Sequence, residues 1–214
     1  MFNPQIFSRD LKIQKLNYKL GKSVDHFLIT KHLASLNDFN LSTLKSDAEK
    51  KAFWVNTYNG LTNYLIIDLK IKKSMKESTV IFKNKHVKIG KISFSLDDIE
   101  HGILRKNARK HLATDDPILD LQVEKLDYRI HFALNCGAES CPMIAFYSEE
   151  NIEEELKMAE LTFVEAEFEI HSQSKEIICS SLFEWYKEDF DKRYTESPLF
   201  LSYSITLKEY NWQV

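Results

Sequence analysis

"DYRIHFALNCGAESCP" (residues 127–142) joins an alternating segment to two of the chain's three cysteines. How this stretch folds bears on both the fold class and the chemistry. Up to Asn135 the pattern has a period of two. Tyr128, Ile130, Phe132 and Leu134 fall on one side, and Arg129, His131, Ala133 and Asn135 on the other, as in a half-buried strand. Such a strand would present Cys136 and Gly137 at its end, with His131 and Asn135 on a shared face.

Working outward, the flanking segments alternate between helical and hairpin patterns. Upstream, "KHVKIGKISFSL" (85–96) predicts a hairpin turning at Gly90-Lys91. It leads into "SLDDIEHGILRKNARK" (95–110), a helix with Ser95 as N-cap and acidic residues at its positive end. On that helix Asp97, His101 and Arg105 form one row at i, i+4, i+8, with Glu100 in the adjacent row. Further back, a helix is predicted from Ser46 to Lys70, through Phe53, Leu61, Leu65 and Leu69. It carries Asn56, Asn59 and Asn63 on one face. Amides on so apolar a helix need partners, so the stripe is expected to brace a neighbouring loop.

Downstream, residues 148–166 predict an amphipathic helix with an acidic first turn, and "EFEIHSQSKEIICS" (167–180) a second hairpin. Ser181 with Glu184 has the spacing of a capping box, and the tail "SITLKEYNWQV" should dock back on the domain. The first 44 residues read as a helical segment packing on one continuous unit, 45–214. Hairpins interleaved with helices, without regular βαβ units, define an α+β single domain: helices on small antiparallel hairpins, with a cysteine-hydrolase-like arrangement among the compatible folds.

The totals narrow the function classes. The chain has 214 residues, 29% charged, and a net charge of −3, which exerts no global pull on nucleic acid or anionic membrane. No apolar run approaches a membrane span, and residues 1–15 carry no secretory h-region. Three cysteines are too few for a disulfide framework, so the expectation is a cytoplasmic protein with free thiols and no cofactor.

The cysteine segment admits several chemistries. A thiol becomes a useful nucleophile only as thiolate, so a neighbouring imidazole or a helix N-terminus must favour that form. Cys141 precedes Pro142, which favours the start of a helical turn. Cys136 precedes Gly137, and the amides of Gly137 and Ala138 could face a developing oxyanion. His131 reaches Cys136 only if the chain folds back, which makes His101, with Asp97 one turn away, the preferred base. A metal site would use His131, Cys136 and Cys141 with His101 as fourth ligand, a wide spacing for zinc. A Cys136–Cys141 disulfide is sterically conceivable but disfavoured in a reducing compartment. The loop can also be structural, with thiols packed as small hydrophobes, the reading that Cys179 receives. His26, His32, His111 and His171 read as surface residues.

"AFWVNTYNGLTNYLI", "FSLDDIEHGILR", "IHFALNCGAESCPMI", "SLFEWYKEDF" and the ending "EYNW" together resemble the family of unknown function DUF547, in order and spacing, from about residue 45 onward. The resemblance singles out Asn56, Tyr58, Asn59, Glu100, His101, Arg105, His131, Asn135, Cys136, Gly137, Ser140, Cys141 and Pro142. The chain departs from the family at Met143, where members commonly carry a second proline. Many bacterial members are exported, and plant members resemble fusions with coiled-coil, DEP or glutaredoxin-like segments. With the resemblance added, the leading expectation is a thiol-dependent hydrolase or acyl-transferase. Its catalytic set would be Cys136 as nucleophile, His101 as base, Asp97 or Glu100 as orienter, and Cys141. Asn56, Asn59, Arg105, His131, Asn135 and Ser140 would contact substrate. The alternatives are a non-catalytic domain binding a peptide or small molecule, and a metal or redox module. Nucleic acid and membrane are not expected partners.

Overall fold

A computed structural model describes residues 2–78, 80–190, 194 and 198–214. Its axis is α3 (Asp47–Asp68), started by a full capping box in which Ser46 and Glu49 satisfy each other's backbone amides. This helix is buried nearly all round, its polar residues Asn56, Asn59 and Asn63 included, with Trp54, Val55, Leu61 and Ile66 fully enclosed. Two helices precede it: α1 (Pro4–Lys19), capped by Asn3, and α2 (His26–Asn37), capped by Asp25. Phe7 and Leu11 of α1 and Leu36 of α2 join the same core. At Gly60 helices α1 and α3 approach so closely that a Cβ there would lie 2.5 Å from Phe7 Cε1.

Strands β1 (Val87–Ile89) and β2 (Ile92–Phe94) form the expected antiparallel hairpin. Gly90 and Lys91 both take positive φ, as a two-residue turn matched to strand twist requires. The segment after it is helical, but from Asp98 to Leu104 it is wound as a π-helix, with the Arg105 amide bonded to the Glu100 carbonyl at 2.8 Å. Ser95 and Asp98 cap its entry reciprocally. Such widened turns are frequent at functional sites.

The α4 helix (Ile152–Glu167) leads into β3 (Glu169–His171) and β4 (Glu176–Ser180), the second hairpin. The tail returns as β5 (Ser204–Lys208), which pairs parallel to β4 and makes this small sheet mixed. A second apolar cluster lies here, with Phe132, Phe163, Ile177, Cys179, Phe183 and Phe190. Helices on two small sheets make an α+β single domain. Among the described residues no helix is long and apolar enough to cross a membrane.

Two local expectations fail. Residues 128–132 are a 3-10 helix, capped by Asp127, and not a strand. Apolar residues two apart also contain pairs four apart, one helical turn, and the segment runs between two cores. Ile130 and Leu134 enter the main one and Phe132 the second. Ser181 forms no capping box, because its hydroxyl donates to the Lys208 carbonyl at 2.7 Å and ties the start of α5 (Leu182–Trp185) to the end of β5.

Candidate functional site

The buried amides of α3 shape the site's frame. Asn56 donates to the Tyr147 carbonyl and accepts from the Tyr147 amide, at 2.7 and 3.2 Å. Asn59 does the same for the turn before the cysteines, donating to the Ala133 carbonyl at 3.0 Å and accepting from the Asn135 amide at 2.8 Å. Asn135 then closes the loop on itself, its Oδ1 accepting from Gly137 N and its Nδ2 donating to the Pro142 carbonyl. Gly137 sits at φ +95°, where a Cβ would lie 2.6 Å from Ile66 Cδ1, so only glycine fits.

This folding-back brings Cys136 and Cys141 together as a disulfide, Cα atoms 6.2 Å apart, against the expectation of free thiols. The Cys136 amide points at Cys141 Sγ (3.0 Å), and the Tyr210 hydroxyl stands 3.0 Å from Cys141 Sγ and 3.4 Å from Cys136 Sγ. Burial above all, with Glu100 and Glu167 adding to it, raises the Tyr210 hydroxyl's pKa, so it remains an O–H donor. The tail is stitched to the loop by Glu139 N to the Gln213 carbonyl and Ser140 N to the Asn211 carbonyl, with Ser140 Oγ accepting from Asn211 N.

The two sulfurs line a cavity of about 260 Å³ together with Asp97, Glu100, His101, His131, Tyr58, Trp185, Tyr186, Tyr210 and Trp212. Its polar wall is a buried network. Glu100 accepts from the Tyr186 hydroxyl at 2.6 Å and the Tyr58 hydroxyl at 3.0 Å. Burial opposes its ionisation, but His101, the Tyr186 hydroxyl, His131 and the Tyr58 hydroxyl outweigh that and hold its pKa below the ordinary range. Fully buried Arg105 makes a two-pronged ion pair with Asp189, and its Nη2 reaches Glu188 at 3.0 Å. His131 Nε2 bonds Asp189 Oδ2 at 2.8 Å while its ring stacks on Tyr186, centroids 3.9 Å apart. Burial is the largest influence on His131 and lowers its pKa overall; Asp189 is held down at about 2 by His131 and Arg105 despite its own burial.

The expected row of Asp97, His101 and Arg105 is present, though its polarity differs from a nucleophile-activating dyad. His101 Nε2 lies 4.0 Å from Asp97 Oδ1, and Arg105 Nη1 lies 3.1 Å from His101 Nδ1. A guanidinium only donates, so Nδ1 accepts this bond, with the Glu100 carboxylate 3.6 Å from the same nitrogen. The Gly137 amide, a proposed oxyanion donor, is already engaged by Asn135. Asn56 and Asn59 are fully buried and brace backbone. His111 is exposed, as expected, and pairs with Asp98 at 2.9 Å, whereas His32, read as a surface residue, is half-buried and pairs with Asp10 at 2.9 Å. Cys179 lies in the second core, and burial raises its thiol's pKa to about 11. Among the described residues no group of three or more His, Cys, Asp or Glu is arranged to hold a metal.

Sequence reasoning on chemistry missed Tyr186, Asp189, Tyr210, Trp185 and Trp212. They stand inside "SLFEWYKEDF" and "EYNW", whose spacing signalled a motif without announcing a reactive type.

Fold and site define an α+β protein whose paired cysteines face a buried acid–histidine–arginine network across an aromatic cavity. The chain belongs to the family described as a protein of unknown function, DUF547, whose model matches residues 41–164. That match ends within α4, before the tail that completes the cavity. No curated protein and no solved structure matches the chain.

Proposed function

We propose that this chain is a thiol–disulfide exchange protein working through Cys136 and Cys141. One observation carries the reading: Cys141 Sγ receives both the Cys136 amide and the Tyr210 hydroxyl at 3.0 Å. Both donors favour the thiolate once the pair is reduced, and both are in place beforehand. In that form Cys141 Sγ⁻ attacks one sulfur of a substrate disulfide, and the other substrate sulfur leaves as thiolate. Cys136 then attacks Cys141 in the mixed disulfide, closing the Cys136–Cys141 bond and releasing the second substrate sulfur. Two electrons pass from protein to substrate, and the two protons of the protein's dithiol end on the substrate's thiols. Run backwards, the same steps oxidise a substrate dithiol. The Glu100–Tyr58–Tyr186 and Arg105–Asp189–His131 contacts hold the opposite wall rigid.

The test is alkylation of the reduced protein by iodoacetamide near neutral pH, resolved by peptide mass spectrometry, alongside exchange with a small coloured disulfide. Cys141 should alkylate faster than Cys136. Tyr210→Phe should slow Cys141 by about three- to tenfold: a hydrogen bond to a charged group is worth about 1.5–3 kcal/mol, and roughly half of that is offset because the more basic thiolate is the better nucleophile. Equal, slow alkylation of both cysteines would remove the reading.

A second reading, acyl transfer or hydrolysis by the reduced pair, is favoured by the presence of His101 and Asp97 in the same cavity. The Arg105 contact on His101 Nδ1 weighs against it. Burst release from an activated ester, abolished by Cys136→Ala, would establish this second reading.

A further inference from the structure

We propose that the groove beside the sulfur pair receives a cationic, apolar polypeptide segment, which makes a protein the exchange substrate. The inference rests on the exchange reading above. A second cavity, about 520 Å³, runs between residues 141–145 and α4. Cys141 and Pro142 line both cavities, so an occupant of the groove lies against the residue assigned as nucleophile. Phe132 and Phe163 are its buried floor, and Met143 and Met158, 75% and 59% exposed, stand at its open side. Methionines are unbranched and polarizable, suited to varied aliphatic side chains.

Charge selects the occupant. Glu139, Glu154, Glu155 and Glu167 line the groove, and among its described lining residues there is no Lys, Arg or His. The compensation is partial: Lys208 stands 3.7 Å from Glu167, Lys12 reaches the Ile144 carbonyl, and Glu155 and Glu139 accept from Ser148 and Asn211. An apolar channel with an acidic rim favours a chain that alternates aliphatic and basic side chains and disfavours an acidic one.

The experiment mixes the reduced full chain with three disulfides that release the same coloured thiolate. These are a short Leu/Lys peptide blocked at its cysteine, the same peptide with Glu for Lys, and the parent small disulfide. At low salt the Lys peptide should react at least about tenfold faster than the Glu peptide. Glu154→Lys and Met158→Ser, both exposed positions, should cut that rate while leaving the small-disulfide rate unchanged. Equal rates for the two peptides overturn the groove proposal and leave the exchange reading standing. If none of the three reacts, the exchange reading falls, and fluorescence anisotropy of the Lys peptide on Cys141→Ser protein then decides the groove. Retained binding supports it as a peptide site, and no binding overturns it.

Discussion

His131 shows how one side chain is set by its surroundings. Burial disfavours its charged form most, the Asp189 hydrogen bond and the Glu100 and Asp189 charges oppose that, and the net pKa falls below 6.5. The unfolded chain therefore takes up the proton first. The stabilisation from neutral His131 is whole above about pH 6.5 and is lost as the pH falls toward the folded-state value. Urea midpoints of the wild type should decline from about pH 7 to pH 5, and His131→Gln, which can still donate to Asp189, should flatten that decline. An unchanged slope would assign the acid sensitivity to other groups. Asp189, held at about 2, keeps its charge throughout that range.

Among the elements, α3 does most to place the site, since Asn59 positions the turn before the cysteines and Tyr58 the carboxylate opposite. Its own position depends on α1 through Gly60. A methyl group there would meet Phe7 Cε1 at 2.5 Å and Phe7 Cδ1 at 2.6 Å. Gly60→Ala should therefore destabilise by about 1–3 kcal/mol, the cost of overpacking, despite alanine's better helix propensity. Adding Phe7→Leu should recover part of that loss, and a double-mutant cycle in urea measures the coupling. Strict additivity would mean that the helices separate freely at this point. The π-helical turn at Asp98–Leu104 belongs to this scale too, since it offsets the row carrying Asp97, His101 and Arg105 from ordinary α-helical register.

On the scale of the whole molecule, the cavity is completed by the tail, roughly 70 residues downstream of the cysteines it covers. Deleting residues 209–214 removes the Gln213 and Asn211 acceptors of the Glu139 and Ser140 amides, and Tyr210 with them. Those two amides should exchange hydrogen at least about tenfold faster in the truncated chain, followed by mass spectrometry, with α3 still protected. Undiminished protection at 139 and 140 would mean that Asn135 and Asn59 hold the loop alone.

Local pattern was enough for α3, both hairpins and α4, because capping residues, turn residues and apolar spacing act within a few residues of each other. The Asn56 and Asn59 braces were legible for the same reason, but Asn63, expected in the same role, instead bonds the Asn59 carbonyl one turn back on its own helix. Residues 127–135 misled because a period of two contains a period of four, and only packing between two cores makes 128–132 a 3-10 turn. The meeting of Cys136 with Cys141, the direction of the Arg105–His101 contact, and the arrival of Tyr186, Asp189 and Tyr210 were decided by tertiary structure. These contacts join segments far apart in the chain, or turn on which way a side chain points, and neither leaves a periodic trace in sequence.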